Sequence, residues 1–233
     1  MQKMQHITKH FKNPPSLYNK MKKTGDGSKS KFSKFLKRFW EIVWKDDSFK
    51  GWIISLVFIF VIIKFIFFPL LNLATGTSLP LAIVESCSMY HTGNIFGNFD
   101  NWWERHELKY EDLNINLAEF ENFPLKKGFN KGDIIFIVRA KPEKLKIGDI
   151  IIFNSNQKNP IIHRIVRISQ EDGQYIFSTI GDNNAGQLNV ETQITEEQLV
   201  GKAVFNIFPA IGWAKLVFYE HLRPSYERGF CQE

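Results

Sequence analysis

Gly132-Asp133-Ile134-Ile135-Phe136 and Gly148-Asp149-Ile150-Ile151-Ile152-Phe153 open alike, a Gly-Asp turn followed by a β-branched and aromatic run. Gly and Asp suit tight turns, while Ile and Phe suit a pleated, half-buried surface. Each stretch therefore reads as a turn launching a buried strand. Comparable runs occupy Leu81–Ser86, Ile161–Ile168 and Tyr175–Ile180. Beyond Gly201, the apolar stretch Ala203–Tyr219 is broken by Pro209, Gly212 and Lys215. It reads as a final strand followed by a helix on a membrane surface or against the domain, not as a second span. A mainly β domain is expected over 77–219, with 220–233 as a C-terminal tail. An insertion at 90–130, rich in Trp, Asn and acids, interrupts it. Its residues 99–121 are expected to be helical and to form a lid or dip into a membrane interface.

Upstream the pattern changes. Gly51 to Leu71 is apolar apart from Lys64 and is long enough for a bilayer core of about 30 Å. The run and the region before it are too long for a cleavable leader, so an uncleaved anchor is expected. Lys64 lies near one end and can snorkel. Ahead of the anchor, Phe32, Phe35, Leu36, Phe39, Trp40 and Val43 recur at helical spacing among Lys34, Lys37 and Arg38. That predicts an interfacial amphipathic helix at about 32–45. Residues 1–30 are poor in aliphatics and read as disordered.

The net charge of +6 is local: residues 1–50 carry 13 Lys/Arg against 4 Asp/Glu, leaving the remainder at −3. That balance argues against a basic nucleic-acid-binding face on the folded domain. The basic tail instead marks a cytoplasmic N-terminus, with everything after Leu71 outside the cytoplasm. Two cysteines, Cys87 and Cys231, make no disulfide framework, and they pair only if the fold brings the chain end to the region of Cys87. Cys87 reads as a small packed apolar residue, with a thiol nucleophile as the lesser reading.

Val84-Glu85-Ser86-Cys87-Ser88-Met89 sits just beyond the anchor. In an extended chain Ser86 and Ser88 share one face, so one hydroxyl can attack while the other donates to a developing oxyanion. A serine nucleophile needs a base. His163 lies in the strand Pro160-Ile161-Ile162-His163-Arg164-Ile165-Val166, and Asp182 in the turn Gly181-Asp182-Asn183-Asn184 after the next strand. A hairpin of these strands brings His163 and Asp182 together at its open end. His91, three residues after Ser88, is the rival base.

An apolar span, then SxSM, GDI-strand, HR-strand and GDNN in that order, resembles the type I signal peptidases of the archaeal and endoplasmic-reticulum kind over roughly residues 50–215. Bacterial relatives carry Lys where His163 stands. The resemblance implies coiled antiparallel β-sheets, Ser88 as nucleophile, His163 as base and Asp182 as its orienting acid. It further implies an oxyanion hole from Ser86 and the Ser88 N–H. Three departures stand out. Tyr90-His91 replaces the Pro that usually follows SxSM, the 90–130 insertion intervenes, and Leu188 stands where some relatives carry a second acid.

The expected function is removal of N-terminal signal peptides from exported preproteins at a membrane, the cell membrane in an archaeon. Membrane lipid, a translocon and accessory subunits are the expected surroundings, and no metal or organic cofactor is implied. Ile83, Val84 and Ile135 are expected to wall the substrate pockets. Two rivals remain: a non-catalytic membrane-tethered β module of an envelope or translocation complex, and a processing protease of narrower specificity.

Overall fold

A computed structural model describes residues 17–92, 99–157 and 159–231, and the chain forms two compact units, residues 1–67 and 68–233. In the first, helix α1 spans Leu17–Lys45. It begins well ahead of the expected start at 32 and takes in part of the stretch read as disordered, although Gly25 and Gly27 are poor helix formers; residues 1–16 lie outside the described ones. Phe32, Phe35, Leu36, Trp40 and Trp44 are exposed along α1, leaving an apolar surface uncovered. Ser48 caps the next helix, α2 (Phe49–Ile62), by accepting the Gly51 N–H. The helical path continues through a π turn at Ile63–Phe67 into α3 (Phe68–Thr75). Pro69 has no N–H and its ring crowds the preceding turn, which the wider π geometry accommodates. Phe49–Thr75, 27 residues, is long and apolar enough to cross a membrane and buries none of its apolar window within the chain.

The second unit is built on one seven-stranded antiparallel sheet. Its strands are β1 (Leu81–Ile83), β2 (Ile134–Val138), β3 (Ile150–Phe153), β4 (Ile161–Glu171), β5 (Gln174–Ile180), β6 (Ile194–Thr195) and β7 (Leu199–Phe208). Their order across the sheet is β1-β2-β7-β3-β4-β5-β6. Residues of β1 and β4 nevertheless line a common cavity, so the sheet curls to bring these non-adjacent strands face to face. The Gly-Asp turns behave as their sequence predicts. Gly132 and Gly148 take φ of 90° and 93°, and Asp133 and Asp149 accept the N–H groups of Asn130 and Lys146. After β7 a short helix follows at Trp213–Leu216.

The insertion packs against the sheet. Its helices α4 (Phe99–Glu111) and α5 (Leu117–Phe120) bury Trp102, Trp103, Tyr110 and Phe120 in a cluster with Val166 of β4 and Ile180 of β5. Residues 93–98 lie outside the described ones. Cys87 is not a free packed thiol: it forms a disulfide with Cys231, 144 residues away. The fold carries the C-terminal segment back to the start of the domain, a closure that spacing alone leaves open. Ile135 is also corrected. It is fully buried in the core with Ile137, because the alternation of β2 turns those two inward.

Candidate active site

β1 ends at Ile83, so Ser86 and Ser88 stand on a turn and not on the strand expected to run to Ser86. The Tyr90 N–H closes this turn onto the Cys87 carbonyl at 3.1 Å. The two hydroxyls still meet, Oγ to Oγ, at 3.1 Å. The turn is held from the GDNN loop: the Asn183 N–H donates to the Ser88 carbonyl at 2.8 Å, and Asn183 Nδ2 to the Cys87 carbonyl at 3.1 Å.

Ser86, Ser88 and His163 line one cleft of about 540 Å³. Ile83 and Val84 line it, joined by Leu79, Ile152 and Ile162; Ile135 does not. Gly181 fits tightly between the parts: a Cβ there would lie 2.8 Å from both His163 Nε2 and the Ser88 carbonyl oxygen. His163 Nε2 and the serine turn thus flank the same small space.

His163 is 3% exposed, and its Nδ1 is hydrogen-bonded to Glu191 Oε1. Glu191 is fully buried in the 3₁₀ turn Asn189–Glu191. Its carboxylate also accepts the Leu188 N–H at 2.7 Å and the Thr179 hydroxyl at 3.3 Å. Asp182 is elsewhere. Its Oδ1 accepts from Tyr110 Oη (2.8 Å) and Arg164 Nε (2.9 Å), and its Oδ2 from Arg164 Nη2 (2.7 Å) and His91 Nε2 (2.8 Å). Register explains this division. Arg164 pairs with Ile180 and Ile165 with Thr179. Side chains alternate along a strand, so His163 shares a face with Thr179 and Arg164 points to the other. Asp182, two residues beyond Ile180, follows Arg164; Glu191 reaches the Thr179 face.

The Asp182 cluster is an internal ion pair bracing the site from behind. Burial raises the Asp182 pKa, but the Arg164 charge and the bonds from His91 and Arg164 outweigh it and hold the carboxyl well below the usual range. Arg164 also donates to the carbonyls of Pro124, Leu125 and Gly148, tying the insertion to the β3 turn. His91 stacks on Trp102 at 3.6 Å, and burial lowers its pKa, which the bond to Asp182 only partly offsets. The rival base is therefore committed to this cluster. Lys109 of α4 donates to the carbonyls of Asp182 (2.5 Å) and Asn184 (3.0 Å), and burial brings its pKa down to about 8. Through the GDNN loop, the insertion thus supports the segment that grips Ser88.

No protein-family model matches the chain. It is similar to the signal peptidase complex catalytic subunit SEC11C of Mus musculus, 26% identical over 182 residues that cover 66% of this chain and 89% of that protein. It is also similar to the SEC11 subunit of Candida tropicalis, 29% identical over 44% of this chain and 64% of that protein. The sec11 subunit of Sclerotinia sclerotiorum is 32% identical over 42% of this chain and 60% of its own length.

Proposed function

We propose that this protein is a membrane-anchored serine endopeptidase that removes signal peptides from preproteins, as the similarity to signal peptidase catalytic subunits indicates. One observation carries the chemistry: Ser88, Ser86 and His163 line a single cleft, with the far side of the His163 ring held by a buried carboxylate. Ser88 Oγ attacks the carbonyl carbon of the bond to be cut while His163 Nε2 takes its proton. The Ser86 hydroxyl and the Ser88 N–H donate to the oxyanion. His163 then protonates the departing amine, leaving a Ser88 ester. It next takes a proton from water, whose oxygen attacks that ester and releases the peptide. Glu191, and not Asp182, keeps the His163 Nδ1–H in place.

β1 ends the sheet, so its outer edge is open to an extended substrate. Alternate substrate side chains then enter the cleft beside Ile83 and Val84. Branched walls admit small side chains and reject bulky ones. Ala, Gly or Ser is expected immediately before the cut bond and two residues earlier, and Phe before the bond lowers kcat/KM by roughly 10²-fold or more. The test uses the detergent-solubilised full chain on preproteins differing only at those positions, with cut sites read by mass spectrometry. Equal rates for Ala and Phe contradict the pocket assignment. No cleavage of any preprotein favours the non-catalytic module, and cleavage of a single client the narrow protease.

The basic tail orients the anchor with its N-terminus cytoplasmic and the catalytic unit outside. The Cys87–Cys231 disulfide agrees with an oxidising compartment on that side. The relatives are named as subunits of a complex, so accessory subunits are the proposed partners, alongside lipid and preprotein.

A further inference from the structure

The segment after the helix at Trp213–Leu216 runs back along the cleft as a strap. Several independent ties fix it. Buried Lys131 donates to the carbonyls of Glu227 (2.7 Å) and Gly229 (3.1 Å) and pairs with the Glu220 carboxylate at 2.8 Å. Phe230 packs on Trp213 at 4.7 Å between ring centres, and Cys231 is bonded to Cys87, the neighbour of Ser88. Arg223 and Glu227 of the strap line the same cleft as Ser88 and His163.

Arg223 does more than fill the wall. Val84 donates to the Asp133 carbonyl and accepts from the Gly132 N–H, so its main-chain groups point toward β2. Backbone groups alternate along an extended edge, so those of Leu81, Ile83 and Glu85 face the open side. On that side Arg223 Nη1 already donates to the Glu85 carbonyl at 2.9 Å, and Nη2 to the Glu85 carboxylate at 2.7 Å. Lys215 and Asn159 steady the same carboxylate at 3.4 and 3.2 Å.

We propose that Arg223 is a specificity-determining residue: it occupies the carbonyl of Glu85, just past the end of β1, and so sets where a substrate strand stops pairing and which bond meets Ser88. The inference rests on the peptidase reading above. A substrate that slips by one residue turns its side chains to the wrong face, whereas a slip of two keeps every pocket filled. Arg223 therefore selects between cut sites two residues apart.

A preprotein with Ala at alternate positions around its cleavage site offers two such bonds. The full chain in detergent should cut one of them predominantly. Arg223→Ala should cut both, its product ratio shifting about tenfold, the scale of one charge-assisted hydrogen bond. Arg223→Lys, which keeps the charge but has a single donor head, should fall between. Cys231→Ser, which releases the end of the strap, should shift the ratio the same way. Circular dichroism melting checks that each variant is folded, and Ser88→Ala checks that the cutting is this site's. An unchanged ratio in the folded Arg223 and Cys231 variants, with wild-type cleavage intact, overturns this inference and leaves the peptidase reading standing. Cleavage by none of the proteins overturns both.

Discussion

Glu191→Gln lowers kcat by about 10⁴-fold while the catalytic unit stays folded. The buried carboxylate accepts the His163 Nδ1–H, which leaves the Nε2 lone pair facing the serine turn. An amide can offer its own N–H to Nδ1 instead, and the ring proton then moves to Nε2, where it cannot accept from Ser88. Losses of this size accompany the wrong imidazole tautomer in Ser-His-acid sites. His163→Ala should lose about as much, and the double variant little more, because the two residues act as one unit. Single-turnover cleavage of a preprotein gives the rates, and circular dichroism gives the folded state. A Glu191→Gln enzyme within tenfold of wild type would remove Glu191 from the mechanism.

Asp182→Asn has a different consequence, loss of stability of about 3–5 kcal/mol, because it strands a fully buried Arg164 without its counter-charge. The pH dependence has a definite sign. The folded-state pKa of Asp182 is depressed below its unfolded value of about 3.9. The stabilisation is therefore fully present above about pH 4 and fades as pH falls through the lower folded value. Denaturant midpoints at neutral pH should differ between wild type and variant, and the gap should narrow in strong acid. Equal midpoints at neutral pH would show that the pair contributes nothing net.

Much of this arrangement was legible in the sequence, and the misses have physical causes. The two Gly-Asp turns and their strands stand where the residue pattern puts them, because Ile-rich runs with turn residues at their ends admit few other conformations. Ser86, Ser88 and His163 line one cleft. Proximity at the hairpin end does not decide parity: Ile180 opposite Arg164 sends Asp182 to the Arg164 face, where it bonds Arg164 and His91. The same parity points from His163 to Thr179, but Glu191 reaches that face through a loop and a 3₁₀ turn, which no periodicity reveals. Ile135 follows the same lesson, since a strand's inward residues depend on which face its sheet covers. The disulfide spans 144 residues and depends on the whole path of the chain. The insertion's Trp102 and Trp103 are core residues because β4 and β5 present Val166 and Ile180 to them, a contact that the sequence of the insertion alone does not show.

The most direct test of the central claim is kcat/KM for preprotein cleavage by Ser88→Ala beside wild type, both as full chains in detergent with matched melting curves. The account expects a loss of about 10⁴-fold or more. Cleavage by folded Ser88→Ala at the wild-type rate would contradict it.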